Sequence, residues 1–194
     1  MRPEFAKLFL QVAANMTAVA DSPYIASIER AADMIHEAFA SGHKLLVFGN
    51  GGSSADAQHL TAEFVGRFMA ERRPLPAIAL TTNQAILTAW SNDYSFDDVF
   101  ARQVEALGVK GDVAFAISTS GNSPNVVNAL RRARERGLQT IALTGSGGGK
   151  MADLCDVLLA VPLTSTARVQ EVHLVTYHAI CGAIEARLVQ APSQ

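Results

Sequence analysis

From Lys44 onward, five short apolar runs alternate with stretches of helical periodicity. The runs lie at 45–48, 77–80, 113–117, 140–143 and 157–161. Apart from Thr140, each is apolar throughout rather than at every second position, as strands covered by helices on both faces require. Strands that alternate with helices form parallel sheets. The sequence therefore predicts an α/β fold with a five-stranded parallel sheet flanked by helices.

Helical patterns fill the segments between the runs and also precede the first of them. Within the α/β part, helices are predicted at about 54–68, 83–89, 97–107, 124–136, 150–154 and 168–188. Two further helices are predicted before Gly42, because apolar residues recur at helical spacing there. These two carry no recognisable chemistry, so residues 1–41 are predicted to be a helical oligomerisation segment ahead of one domain at 42–194.

Size and composition narrow the class of protein. A chain of 194 residues suits one well-buried domain, and a net charge of −2 lacks the basic excess of nucleic-acid-binding proteins. No apolar run approaches the roughly 18 residues of a membrane span, and the first residues do not resemble a signal peptide. We therefore expect a cytoplasmic protein with no nucleic-acid or membrane partner, in which Cys155 and Cys181 are reduced.

The first strand leads into a glycine-rich turn and a helix. The turn, Gly49-Asn50-Gly51-Gly52, allows backbone angles that are closed to other residues. The helix places His59 and Glu63 four residues apart, so their side chains are neighbours about 6 Å apart. The turn suits an anion or a polyol close to main-chain N–H groups, and the His59/Glu63 pair suits proton transfer or a metal.

The third strand leads into a loop rich in hydroxyl groups, Ser118-Thr119-Ser120-Gly121-Asn122-Ser123-Pro124. Its hydroxyl and main-chain N–H groups would hold a phosphate without an arginine or lysine. The alternative is a simple turn and helix cap, with Ser123 as N-cap and Pro124 at the first helical position. The phosphate interpretation is favoured, because a cap explains Ser123 and leaves the other hydroxyls unexplained. Both loops should lie at the rim formed by the carboxyl ends of the strands.

Two glycine clusters resemble nucleotide-binding loops but depart from them. The turn at 49–54 lacks the third glycine of a dinucleotide fingerprint, and the second strand ends without an acidic residue for a ribose. The segment 145–150 ends like a P-loop, but Met151 stands where a Ser or Thr should bind magnesium. Neither predicts a nucleotide, and the second is interpreted as a flexible turn.

The last predicted helix is apolar apart from a few polar residues, among them Gln170, Glu171, His173 and His178. Buried polar groups need hydrogen-bond partners, so one polar pocket shared with His59 and Glu63 is more economical than several isolated sites. His173 is expected to lie in the core or behind the site rather than to bind a metal.

The segments 48–63, 91–93, 118–124 and 170–178 resemble motifs of the bacterial phosphoheptose isomerases of the sugar-isomerase (SIS) superfamily. The resemblance covers nearly the whole chain and is specific, because four separated motifs occur in the family's order. It implies the SIS fold with an N-terminal helical extension and a homotetramer with active sites between subunits. It also implies conversion of sedoheptulose 7-phosphate to D-glycero-D-manno-heptose 7-phosphate, the first step towards the heptose of lipopolysaccharide.

The resemblance also implies roles for individual residues. The acid/base pair would be Glu63 and His178. A zinc site, with one ion per subunit, would be formed by His59, Glu63, Gln170 and His178. The sugar would be contacted by Asn50, Gly51, Gly52, Glu63, Asn92, Asp93 and Gln170. The phosphate would be held by Ser118, Thr119, Ser120 and Ser123, in agreement with the interpretation of that loop from its residues.

An aldose-ketose isomerisation suits these residue types. It moves a proton between two carbons through an enediol, so it needs a base at carbon and a proton donor at oxygen. Glu63 would serve the carbon, and His178 would serve the oxygen because an imidazole populates both forms near neutral pH. A zinc ion at His59 would stabilise the enediolate, but full ligation of Glu63 and His178 would compete with proton transfer. A catalytic and a structural zinc therefore both stay open.

Helix geometry adds a constraint on the zinc ligands. Gln170 and His178 are separated by a rise of about 12 Å on a straight helix, and zinc–ligand bonds are only roughly 2 Å long. Either Gln170 precedes the helix, or two copies of the helix contribute to one site across a subunit interface. The interface is favoured, and mixed tetramers of Glu63→Ala and His178→Ala chains would then regain activity.

A binding function is the alternative to catalysis. Relatives with the SIS fold include non-catalytic tetramers that bind the replication initiator DnaA, and these lack the Glu and the last-helix His of the isomerase pair. The present sequence keeps Glu63 and His178. Catalysis is therefore favoured.

Overall fold

The structure, a computed structural model, describes residues 2–190. Two helices come first, α1 (Arg2–Ala20) and α2 (Tyr24–Ala40). The strands are β1 (Leu45–Gly49), β2 (Ala77–Ala79), β3 (Val113–Ser118), β4 (Gln139–Thr144) and β5 (Val157–Ala160). The remaining helices are α3 (Gly52–Val65), α4 (Gln84–Asp93), α5 (Val99–Leu107), α6 (Pro124–Glu135) and α7 (Thr166–Gln190), with short 3₁₀ helices at Phe96–Asp98 and Gly149–Leu154.

The five strands form one parallel sheet in the order β2-β1-β3-β4-β5. The chain reverses its direction of travel across the sheet between β2 and β3, so the loops after β1 and β3 lie side by side at the carboxyl rim. This is where open α/β sheets bind ligands. The predicted α/β fold is confirmed, because each apolar run of the sequence became a strand.

Each face of the sheet has its own hydrophobic core. Leu45 and Val47 of β1 pack in the core that includes α2, α3 and α7. The intervening Leu46 and Phe48 pack in the core that includes α5 and α6. Both sets of β1 side chains are fully buried, which explains why the strand is apolar at every position.

The two N-terminal helices differ in how they pack. α2 buries Ile35 and Phe39 in the core, whereas α1 leaves Phe5, Phe9 and Leu10 62%, 76% and 72% exposed. An apolar surface of this kind is typical of a contact with another molecule. The role of residues 1–41 in oligomerisation and the division at residue 42 stay predictions.

Several helix ends differ from those predicted. α3 ends at Val65 rather than about 68, since Gly66 leaves the helical conformation and the chain turns towards α7. α4 continues to Asp93, so Asn92 and Asp93 belong to its last turn. α7 begins at Thr166, before Gln170. Within residues 2–190, no helix has the length and apolar character needed to cross a membrane.

Candidate active site

The turn after β1 is shaped by close contacts at Gly49 and Gly52 and by the positive φ of Gly51. A Cβ atom on Gly49 would lie 2.7 Å from the carbonyl oxygen of Ile117, and Gly51 has a φ of +56°. Both positions therefore require glycine. A Cβ atom on Gly52 would collide with the side-chain amide of Gln170. Gln170 thus lies directly over the start of α3, at the rim of the sheet.

Asn50 joins this turn to the start of α6. Its side-chain amide donates to Oδ1 of Asn125 at 2.8 Å, and Asn125 donates back to Oδ1 of Asn50 at 2.9 Å. Asn125 is only 2% exposed. Asn125 was not predicted as a site residue. The local sequence shows only a polar amide directly after Pro124, which opens a helix.

The hydroxyl groups of the loop after β3 converge. Oγ of Ser118 lies 3.1 Å from Oγ of Ser123 and 3.4 Å from Oγ of Ser120. Ser123 precedes α6, but its side chain accepts no hydrogen bond from that helix. Ser123 occupies the N-cap position and Pro124 opens the helix, as the sequence predicted, but the Ser123 hydroxyl faces the loop and side-chain capping does not account for it.

The segment 145–150 braces this serine loop from behind. The Gly145 N–H donates to the carbonyl of Thr119 at 3.0 Å, and the Met151 N–H donates to the carbonyl of Gly121 at 3.1 Å. A Cβ atom on Gly121 would collide with the carbonyl of Gly148. The glycines here allow two backbones to pack closely, and the flexibility expected of this turn stays a prediction.

His59, Glu63 and His178 form a cluster on the outward side of α3 and α7. Nε2 of His59 lies 2.9 Å from Oε1 of Glu63. The rings of His59 and His178 are 5.0 Å apart between centroids. One ligand atom from each of the three side chains lies within 4.8 Å of the others. The His59 and Glu63 side chains remain 44% and 20% exposed, so the cluster is open to a substrate or to another chain.

The environment of His178 favours its neutral form. Burial, and then the neighbouring His59, hold the pKa of His178 below its usual range, while Glu63 acts in the opposite direction. Nε2 of His178 is buried and has no hydrogen-bond partner among the described residues. A neutral imidazole with an unpaired nitrogen is able to accept a proton or to bind a metal.

The cluster fits a metal ion. Two imidazole nitrogens and a carboxylate oxygen are a donor set that suits zinc, and three protein ligands leave a fourth position free. The unpartnered Nε2 of His178 gains a partner if an ion binds there. The three side chains come from one chain, so His178 reaches Glu63 without a subunit interface.

Gln170 does not join this cluster within one chain. α7 is continuous through Gln170 and His178, so the alternative in which Gln170 precedes the helix is wrong. α7 lies beside α3, with Gln170 against Gly52 and His178 beside His59. The separation along α7 is about 12 Å. Each chain therefore presents Gln170 at the rim with the serine loop, and the cluster roughly two turns further along the helix.

Asn92 and Asp93 lie on the exposed end of α4, whereas His173 lies in the core. Asn92 donates to Asp93 at 2.8 Å on the exposed last turn of α4, and among residues 2–190 no hydrogen bond joins either to the cluster or to the serine loop. His173 is buried, with Nε2 3.2 Å from the carbonyl oxygen of Thr144. Burial lowers the pKa of His173 to about 4, although the bond to Thr144 acts against this. His173 thus has the core position that the sequence predicted.

A loop at 66–72 covers His178 and is anchored by Glu185. Phe68 packs on the His178 ring at 5.4 Å between centroids. The Glu185 carboxylate accepts from the main-chain N–H groups of Phe68, Met69 and Ala70 at 3.0, 2.7 and 2.7 Å. Burial by itself would raise the pKa of Glu185, but these three bonds and the nearby Arg72 lower it.

Glu185→Gln is expected to destabilise the protein by about 1.5–3 kcal/mol at pH 7, because a charged acceptor of three N–H groups is replaced by a neutral one. The folded pKa lies below the unfolded value, so this stabilisation is present at neutral pH and is lost as the pH falls through the folded pKa. Urea unfolding at pH 7 and pH 4 measures the difference, which should shrink at pH 4. Glu135→Gln, in an exposed ion pair with Arg132, is the control and should change little. Equal effects of the two variants would contradict the anchoring role.

The chain is similar to known proteins over most of its length. The sequence profile described as the SIS domain matches residues 9–145. A phosphoheptose isomerase of Bradyrhizobium sp. (strain ORS 278) is 57% identical over 178 residues, which cover 92% of this chain and 90% of that relative. A solved phosphoheptose isomerase from Neisseria gonorrhoeae has a TM-score of 0.89 at 44% identity, covering 95% of this chain and 98% of that one. One from Francisella tularensis has a TM-score of 0.90 at 37% identity, covering 95% and 97%.

The parallel sheet with a serine loop at its carboxyl rim, together with the matching profile, defines an SIS-domain protein. The predicted SIS fold with its N-terminal helices is thereby confirmed. The chain belongs to the phosphoheptose isomerase family.

Proposed function

We propose that this protein is an aldose-ketose isomerase that converts sedoheptulose 7-phosphate to D-glycero-D-manno-heptose 7-phosphate. The observation that carries the proposal is the convergence of His59, Glu63 and His178, whose ligand atoms lie within 4.8 Å of one another. A carboxylate beside two imidazoles supplies the base and the proton donor that an enediol reaction requires. Relatives named phosphoheptose isomerase, among them one that is 57% identical over 92% of the chain, support the choice of substrate.

The serine loop is proposed to hold the phosphate. The three converging hydroxyls of Ser118, Ser120 and Ser123 are supplemented by the hydroxyl of Thr119 and by the main-chain N–H groups at the start of α6. Their approach to one another, at 3.1 and 3.4 Å, supports a common acceptor between them. This seat carries no positive side chain, so it discriminates by hydrogen bonds rather than by net charge.

Glu63 and His178 are proposed to move the two protons. Glu63 takes the proton from one carbon of the substrate and returns it to the neighbouring carbon. His178, held neutral by its surroundings, exchanges a proton with the substrate oxygen. Zinc is the ion that we propose for the cluster, with Gln170 of another subunit as a further ligand, and it would supply Lewis-acid stabilisation of the developing negative charge.

The site is proposed to be completed between subunits of a homotetramer. Within one chain, His178 of the cluster and Gln170 are about 12 Å apart along α7, which is too far for one metal ion to be bound by both. A second chain that brings its cluster towards the rim of the first would place acid, base and phosphate seat around one substrate. The exposed cluster and the exposed aromatic residues of α1 support such an arrangement. Asn50, Gly51, Gly52, Asn92 and Asp93 are proposed to contact the sugar there.

Other parts of the proposal rest on the family alone. Formation of heptose for lipopolysaccharide, and the cytoplasm as the place of action, are inferred from the resemblance and the sequence.

The non-catalytic alternative, binding of DnaA, is not favoured because a binding module has no need of the clustered carboxylate and imidazoles. No observation on the described residues points to a nucleic-acid partner.

A turnover assay tests the proposed function. The full-length protein should isomerise sedoheptulose 7-phosphate, and it should fail to turn over sedoheptulose itself, because the serine loop binds the phosphate group. The product is measured by chromatography or by coupled phosphorylation. Binding at the serine loop is measured separately, as the competition of inorganic phosphate with sedoheptulose 7-phosphate. A protein that binds the sugar phosphate without turnover would support a sensing function and contradict the proposal.

A further inference from the structure

Behind His59, the buried Tyr177 and the partly buried Asp56 lead away from the exposed side of the cluster. The hydroxyl of Tyr177 lies 3.0 Å from Nδ1 of His59 and 3.5 Å from Oδ1 of Asp56. Tyr177 is fully buried, and its ring meets the His59 ring edge-on at 5.5 Å between centroids. His59 is thus held on one nitrogen by Tyr177 and faces Glu63 with the other.

The proton positions in this line follow from what each group can donate or accept. A carboxylate only accepts, whereas a tyrosine hydroxyl both donates and accepts. A tyrosine hydroxyl keeps its proton at neutral pH, because an ordinary phenol ionises only at about pH 10. When that proton is donated to Asp56, the hydroxyl oxygen is left to accept from Nδ1–H of His59. Nε2 of His59 then carries no proton, and its lone pair is available to a metal ion that would stand between it and the Glu63 carboxylate.

We propose that Tyr177, backed by Asp56, is a positioning residue that fixes the ring of His59 with its proton on Nδ1 and leaves the Nε2 lone pair for a metal ion shared with Glu63 and His178. The inference rests on the metal assignment of the proposed function, because a metal ion binds only a nitrogen that carries no proton. It adds to that function a residue that contacts neither the substrate nor the ion. A histidine that binds a metal needs its other ring nitrogen held by a partner of this kind.

A second buried tyrosine provides a matched control. The hydroxyl of Tyr24 lies 2.8 Å from Oγ1 of Thr176, and Tyr24 is 5% exposed. Tyr24→Phe and Tyr177→Phe therefore each remove one buried hydroxyl that bonds to a side chain and keep the ring. Only Tyr177 touches the cluster. A purely structural role for Tyr177 predicts that the two variants behave alike.

The experiment measures zinc affinity of the full-length protein by competition with a chromophoric chelator, beside the melting temperature. Tyr177→Phe should bind zinc about 10–100-fold more weakly than the wild type, as expected when a partner behind a metal-binding histidine is lost. Tyr24→Phe should keep the wild-type affinity and lose similar thermal stability. If Tyr177→Phe does not fold, Asp56→Asn takes its place and should weaken zinc binding in the same direction by a smaller factor.

The outcomes separate the inference from the function on which it rests. Zinc affinity that Tyr177→Phe leaves at the wild-type value, or that Tyr24→Phe lowers equally, would overturn the inference. For Asp56→Asn, unchanged affinity would do the same. A wild-type protein that binds no zinc would overturn both the metal assignment and the inference. Isomerisation of sedoheptulose 7-phosphate, assayed separately, decides the proposed function whichever way zinc binding behaves.

Discussion

Glu63→Gln is expected to lower kcat for sedoheptulose 7-phosphate by about 10²–10⁴-fold, the contribution usual for a general base. Glutamine keeps the size of the side chain and can still form a hydrogen bond to Nε2 of His59. It cannot accept a proton from carbon at neutral pH. The steady-state rate is measured beside the circular dichroism spectrum and the melting temperature, which should stay close to those of the wild type.

Glu71→Gln is the control for this prediction. Glu71 follows α3, pairs with Arg67 at 3.1 Å, and has a side chain that is 89% exposed. It is a glutamate close to Glu63 in sequence but outside the cluster, so its replacement should leave kcat unchanged. A Glu63→Gln protein that keeps more than a tenth of the wild-type rate would remove Glu63 from the role of base.

Mixed tetramers should show whether the site is shared between subunits. Ser123→Asp places a carboxylate in the proposed phosphate seat and should repel the substrate, while aspartate remains a good residue before a helix. Glu63→Gln damages the cluster instead. If the cluster of one chain serves the seat of another, an equal mixture should regain activity at up to about a quarter of its sites, those where both contributors are intact.

The matched negative control is an equal mixture of Glu63→Gln and His178→Ala chains. Both changes damage the same cluster, which one chain forms by itself, so no recovery is expected. This reverses the expectation from the sequence that such a mixture would regain activity. Recovery in this control would mean that the cluster is divided between chains. No recovery in the Ser123→Asp mixture, after verified subunit exchange, would place the whole site within one chain.

The sheet could be predicted from the sequence because its signal is local. β1 and β3 are buried on both faces, and burial of this kind requires an unbroken run of apolar residues. The His59/Glu63 contact was also predictable, since it depends only on helical spacing. The approach of the Ser118 and Ser123 hydroxyls was predictable in part, because a short loop leaves its side chains few directions in which to point.

Contacts between distant segments were harder to predict. Nothing near Tyr177 in the sequence indicates that its hydroxyl meets His59, because that contact depends on how α7 packs beside α3. The position of Gln170 over Gly52 has the same origin. The expected role of Asn92 and Asp93 does not follow from one chain, as both are exposed at the end of α4. Their contact with the sugar stays a proposal.

Asn50 and Asn125 link two segments of the rim through a reciprocal pair of uncharged hydrogen bonds. Each amide donates to the other and accepts from it, so the turn after β1 and the start of α6 are held together. An ion pair in the same place would leave a carboxylate beside the proposed phosphate seat and would respond to salt and pH. The amide pair carries no charge and responds to neither. The turn and the helix therefore keep their spacing over the pH range in which histidine side chains ordinarily titrate.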